Sequence, residues 1–292
     1  RSADYATGKY YTGTVESQGD PLGIYVDKFE FDQQDAFEGS PIFGYATIRG
    51  RTLDDPIFVK TKCFTDEGIE GITDPQELTV EFEAADIVEC SFPDGLSKGR
   101  HNIKLAMSFN FQTWGYTTLT FVDKDVWRTM LSEDRDIIVD LEIDEEPEIV
   151  FTPGPVGLGA KELLHPIAIE EEGTVPYGIT IDNLWHNGEI ERVDEYIIQV
   201  PSEFQLEKCT PFEEKDNGNI DPETGEEDPS YTFYEFENID PGKSYKSVHC
   251  RLKLLDRSKL LAIDQQKAIR TFIVRAKYQY SFEETEFVRV IA

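Results

Sequence analysis

Four cysteines, one loop crowded with carboxylates and amides, and four scattered histidines are the side chains of this 292-residue chain whose types invite chemistry. Cys63, Cys90, Cys209 and Cys250 contain no Cys-x-x-Cys pair, so zinc-ribbon and thioredoxin-like readings lose their usual support. Four cysteines allow three connectivities. Pairing Cys63 with Cys90 and Cys209 with Cys250 gives each half of the chain its own staple, and closing loops of that size stabilises by roughly 3–4 kcal/mol on the chain-entropy account. That pairing implies an oxidising, extracytoplasmic compartment; the alternative is four buried thiols in a reducing one.

The polar loop runs from Asp216 to Asp228. Calcium takes six to eight oxygen ligands, and Asn217, Asn219 and Asp221, followed by Glu223, imitate the early positions of a calcium loop. Pro222 stands where such a loop needs glycine for its sharp turn, so calcium competes here with a plain solvated hairpin loop. No other cofactor is expected. Glu170-Glu171-Glu172-Gly173 reads as a turn. His101, His165, His186 and His249 form no His-x-His or His-x-x-x-His pattern, and His249 is expected at the surface. Nucleophile elbows and glycine-rich phosphate cradles are missing from the sequence. With 58 acidic residues, carboxylates fall near one another by chance, and none can be singled out as an acid or base. The chain is expected not to be an enzyme.

Aromatic residues raise two further expectations. Tyr5, Tyr10 and Tyr11 precede the first confident strand and mark a candidate N-terminal strand, either an edge of its own domain or a strand given to a neighbouring subunit. Trp114-Gly115-Tyr116 is expected in a hairpin, packed into the core rather than serving as a carbohydrate platform.

Period-two alternation is the strongest signal for the elements that must position these groups. Ile103, Leu105, Met107, Phe109 and Phe111 share one face of a half-buried strand. The sets Val59/Thr61/Cys63, Leu78/Val80/Phe82, Val88/Cys90/Phe92 and Val248/Cys250/Leu252/Leu254 alternate in the same way. Phe272, Val274, Ala276, Tyr278 and Tyr280 face inward, which puts Ile273, Arg275 and Lys277 on the opposite face. Further strands are predicted over Leu22–Phe31, Ile42–Arg49, Tyr116–Val122, Asp136–Ile143, Tyr177–Ile181, Tyr196–Val200, Tyr231–Phe236 and Glu286–Ile291. Helix is predicted only at Asp123–Ser132 and Asp256–Ile263, each opened by a capping aspartate.

The fold class that follows is all-β: two tandem Ig-like antiparallel β-sandwich domains, each with one internal disulfide. An N-terminal sandwich is expected over residues 1–146, a Pro-rich linker over 147–155, and a C-terminal sandwich over 156–292. No Trp lies between the members of either cysteine pair, which excludes an antibody-type domain.

Acidic side chains outnumber the 28 basic ones so far that the net charge is −30, shared by both halves. A field of that sign repels nucleic acid and anionic membrane surfaces. At 39% hydrophobic and 12% aromatic the chain still has the material for ordinary cores. It opens on Arg1 and has no apolar run of spanning length, which reads as a processed or trimmed product. Membrane attachment is therefore expected only through an anchor absent from this chain.

Residues 155–292 resemble poorly characterised archaeal cell-surface proteins. The stretches concerned are Val175–Asn183, Ile197–Pro201, Cys209, Val248–Leu252 and Ile269 through Tyr278. The resemblance implies an anchored surface protein with Ig-like domains and carries no catalytic residues. A second, looser similarity is to arrestin-like tandem sandwiches, whose cytosolic members do not need paired cysteines. The expected function is a non-enzymatic extracellular structural protein, a subunit of a cell-surface filament or envelope layer that forms a homo-oligomer or surface assembly. The alternatives are an adhesion or ligand-binding module and an arrestin-like intracellular adaptor.

Overall fold

The structure is a computed structural model. It describes residues 22–292 apart from 54, 145–147, 161–164, 171–172, 212–213, 238, 240–244 and 263–264. Tyr5, Tyr10 and Tyr11 lie outside the described residues.

The described residues form eighteen strands and three short helices. In order these are β1 (Gly23–Phe31), β2 (Asp35–Phe37), β3 (Ile42–Arg51), β4 (Ile57–Thr65), β5 (Ile72–Asp74), β6 (Glu77–Val80), β7 (Glu83–Phe92) and β8 (Gly99–Asp123). Helices α1 (Lys124–Ser132) and α2 (Ile137–Asp140) follow, then β9 (Glu148–Phe151), β10 (Val156–Ala160), β11 (Ile167–Ile169), β12 (Thr174–Asn183) and β13 (Gly188–Pro201). The last elements are β14 (Phe204–Thr210), β15 (Glu214–Asp216), β16 (Tyr231–Phe236), β17 (Tyr245–Leu254), α3 (Arg257–Leu260) and β18 (Lys267–Ile291).

These elements make two compact units that are not successive halves of the chain. The first takes Asp20–Gln112, Asn183–Arg192 and Tyr278–Ala292; the second takes Thr113–Asp182 and Val193–Lys277. Residues 147–155, expected as a linker, fall inside the second unit. There Glu148–Phe151 pairs antiparallel with Gly115–Thr118, so the backbone groups that a free linker would expose are used in a ladder.

In the first unit one sheet has the order β1-β3-β7-β5, and the other sets β4 between β6 and β8. Alternation supplies the core. Ile48, Val88 and Cys90 from one sheet and Val59, Cys63, Ile103, Leu105, Met107 and Phe109 from the other are all nearly inaccessible. Antiparallel register places Val59, Thr61, Cys63 and Thr65 opposite Phe109, Met107, Leu105 and Ile103. Gly44 of β3 is needed for this packing, because a Cβ there would come within 2.5 Å of the Phe31 ring. Phe82 departs from its expected face: β6 ends at Val80, and Phe82 is 58% exposed.

In the second unit one sheet has the order β10-β12-β17-β14, and the other includes β15-β16-β13 with β9 and β11 paired on β8. The two sheets meet through an aromatic cluster. The Phe121 ring is 4.7 Å from Phe204 and 6.2 Å from Phe272, and Tyr177 is 5.0 Å from Phe272. A small satellite core of Val122, Met130, Ile137, Leu141 and Ile143 lies beneath α1 and α2.

Three elements differ from expectation. Trp114-Gly115-Tyr116 is no hairpin; it lies in the middle of β8, a single strand of 25 residues. Gly115 is there because Leu158 crosses close by, and a Cβ would meet the Leu158 Cβ at 2.8 Å. Asp136–Ile143, predicted as a strand from its β-branched run, forms α2 instead. The Asp136 carboxylate accepts from the Ile138 and Val139 N–H groups, a local cap that outweighs strand propensity. The helix predicted over Asp256–Ile263 is confined to Arg257–Leu260.

Candidate functional site

Each unit carries one disulfide, and both pair cysteines as the phasing suggested. Cys63–Cys90 joins β4 of one sheet to β7 of the other and closes a separation of 27 residues. Cys209–Cys250 is built differently, because its cysteines lie on β14 and β17, neighbours in the same sheet. The β14–β17 register shifts between Glu207 and Thr210, Lys208 adopts a positive φ of 53°, and the two Cα atoms lie 4.0 Å apart. All four half-cystines are buried.

The densest polar constellation surrounds Arg275, on β18 in the second unit. Alternation put this residue on the face opposite the core. It is nonetheless 1% exposed, because the 216–228 loop folds over that face. Arg275 Nη2 lies 3.0 Å from Asp221 Oδ1 and 3.6 Å from Glu195, and Nη1 lies 2.6 Å from Glu223 Oε2. Lys277 also pairs with Glu223. On its flat side the guanidinium lies 5.1 Å from the Trp114 ring, within cation–π range.

The candidate calcium residues belong to this loop. Asp221 and Glu223 are drawn together, but onto a cation that the protein itself provides. Asn217 donates through Nδ2 to Glu235, and the Asn219 backbone carbonyl accepts from the Asp228 N–H. Among the described residues no group of three His, Cys, Asp or Glu has an arrangement suited to a metal ion. The loop is a hairpin shaped by Gly218 and Gly225, both at positive φ, and locked to the sheet by Arg275.

Burial sets the electrostatics of Glu195. Desolvation raises its carboxyl above the usual range; the attraction of Arg275 is the next influence and lowers it, while Glu223 raises it again. Three carboxylates share two cations, so Glu195 is the group least compensated. Elsewhere the Asp123 carboxylate, which caps α1 and lies 2.7 Å from Arg257, is held below its usual value. Burial opposes that shift, and the Arg257 and backbone hydrogen bonds outweigh it.

The remaining expected groups sit apart. The Gly173 N–H donates to the Glu170 carbonyl, and Glu171 and Glu172 lie outside the described residues. His249 is exposed. His165 Nε2 accepts from the Thr120 N–H, and His101 is buried between two oxygen acceptors. Alternation could not find Arg275; the available signal was the excess of acid in the 216–228 loop, which needs a cation wherever it packs.

No protein-family model matches the chain, and no curated protein matches it. Among solved structures, the chain is similar to the C-terminal globular domain of an oligosaccharyltransferase from Pyrococcus abyssi. The identity is 11% and the TM-score 0.31, over 93% of this chain and 50% of that one, so this chain spans half the length of that structure. It is also similar to the Salmonella enterica SafA pilin in complex with the SafB chaperone, at 8% identity and TM-score 0.22 over 79% and 85% of the two chains. A type II cohesin dyad from the ScaA scaffoldin of Acetivibrio cellulolyticus matches at 7% identity and TM-score 0.17 over 81% and 86%. Likenesses this distant carry no functional argument.

Proposed function

We propose that this chain is a non-enzymatic extracytoplasmic structural protein that assembles with copies of itself in a cell-surface filament or envelope layer. The observation that carries the reading is the pair of buried disulfides, one in each unit. Such bonds persist in oxidising compartments and are rare in the cytosol. The resemblance of residues 155–292 to archaeal surface proteins supports the same location. The densest polar cluster is spent on internal pairing: the carboxylates around the buried Arg275 lock a loop. The charge of −30 keeps such a surface soluble, and screening by salt or cations lets copies approach.

An adhesion or ligand-binding module is the second reading. It is favoured by large apolar side chains left exposed on the first unit, among them Phe37, Phe58 and Phe82 at 58–59% and Ile87 at 60%. Light scattering and electron microscopy of the oxidised chain, over a series of protein and salt concentrations, separate the two. The structural reading expects ordered multimers that grow as salt screens the charge. A monomer at every salt and protein concentration contradicts it and favours the module.

A further inference from the structure

His101 lies near the start of β8 and is 4% exposed. Its Nδ1 is 2.9 Å from Glu67 Oε2, and its Nε2 is 2.7 Å from the Ser97 carbonyl oxygen. An ionised carboxylate and a carbonyl only accept hydrogen bonds, whereas a neutral imidazole has one N–H and one lone pair. Either neutral tautomer sets its lone pair against one of these oxygens. Only the imidazolium donates to both.

The two acceptors belong to different segments. Glu67 is in the turn after β4, closed by the Gly68 N–H on the Thr65 carbonyl; Ser97 is in the loop between β7 and β8. That loop in turn holds the turn after β2. Leu96 accepts from the Gly39 N–H, the Lys98 N–H donates to Glu38 Oε1, and the Glu38 N–H donates to the Ile291 carbonyl at the end of β18. One ring thus connects a chain of loops within the first unit.

We propose that His101 is a pH-responsive clip: doubly protonated, it ties the turn at Glu67 and the loop at Ser97 to β8, and on losing a proton to solvent it releases one of them. Glu67 is the charged group that acts directly on the ring. The neighbouring charges are engaged elsewhere. Asp66 accepts from Asn102 and pairs with Lys104, Lys104 also pairs with Glu283, and the Arg100 guanidinium lies 4.3 Å from the Phe287 ring. Burial works against the proton, but the Ser97 and Glu67 hydrogen bonds and the Glu67 charge outweigh it, and His101 holds its proton above the ordinary histidine range. A raised folded value means that the clip is complete below the unfolded value of about 6.5 and is lost as pH rises through the folded one. This inference does not depend on the proposed surface role.

The test is an NMR titration of the imidazole C–H signals of the full oxidised chain, with hydrogen exchange of the amides around Ser97 followed over the same pH range. His101 is expected to titrate above the free-histidine value. Glu67→Gln keeps the side-chain shape, removes the charge, and is expected to shift the midpoint downward. Exchange near Ser97, corrected for intrinsic base catalysis, is expected to speed up across the same midpoint in the wild type and not in His101→Gln. A midpoint at or below the ordinary value overturns the clip, as does identical exchange behaviour in the wild type and His101→Gln. If His101→Gln does not fold, the wild-type titration and Glu67→Gln still decide.

Discussion

Arg275 is a buried cation among carboxylates, and its removal leaves Glu195, Asp221 and Glu223 without it, Lys277 remaining beside Glu195 and Glu223. Breaking a fully buried ion cluster from one side costs about 3–5 kcal/mol, but here only the guanidinium is buried and the carboxylates can regain water, so about 1–3 kcal/mol is expected. Arg275→Met is therefore expected to lose about that much in urea unfolding, and a loss below about 1 kcal/mol would show that the lock contributes little. Glu195→Gln should behave in the opposite way. Its carboxyl is raised in the folded state, so ionisation opposes folding above the raised value and ceases to do so as pH falls through it. The variant is expected to be at least as stable as the wild type at neutral pH, with the difference fading on acidification. A clear loss at neutral pH would mean that the Arg275 attraction prevails. At this scale the cysteine pairing was legible, since Cys63, Cys90 and Cys250 alternate with apolar neighbours and one staple per half leaves Cys209 to Cys250. Arg275 was not, because alternation reports which face of a strand a residue takes and says nothing of what later covers that face.

Strand β8 illustrates the same limit for elements. Its alternation was visible from Ile103 to Phe111 and again from Tyr116, but Gly115 between them reads as a turn residue. In the fold that glycine makes room for Leu158, a tertiary demand with no local trace. Gly115→Ala is expected to cost roughly 1–3 kcal/mol by overpacking, read as a lower thermal midpoint. An unchanged midpoint would place Leu158 farther from the strand. Capping decided the helices. The Asp123 cap of α1 was readable from its position before a helical stretch, whereas Asp136 stood before Ile137-Ile138-Val139, whose propensity favours a strand. Asp136→Ala should loosen α2 by about 1 kcal/mol, visible as faster amide exchange at Ile138 and Val139 if the cap is the cause.

At the scale of the whole molecule, the all-β class and two separate disulfides followed from composition and phasing, while the division of the chain did not. A proline-rich stretch suggests a boundary, but Glu148–Phe151 has a ladder partner in Gly115–Thr118, and pairing over such a separation leaves no periodic mark. Net charge acts on the entire chain. At −30 the folded state repels itself, so stability is expected to rise with sodium chloride as screening shortens the reach of each charge. A thermal midpoint that falls with salt would mean that the ion pairs matter more than the repulsion. The surface role rests on oxidised cysteines, and the most direct test is peptide mapping of the protein isolated from its own cells with thiols blocked before lysis. The account predicts two disulfide-linked peptide pairs, Cys63 with Cys90 and Cys209 with Cys250, and no blocked thiol. Four blocked cysteines would contradict it and place the chain in a reducing compartment.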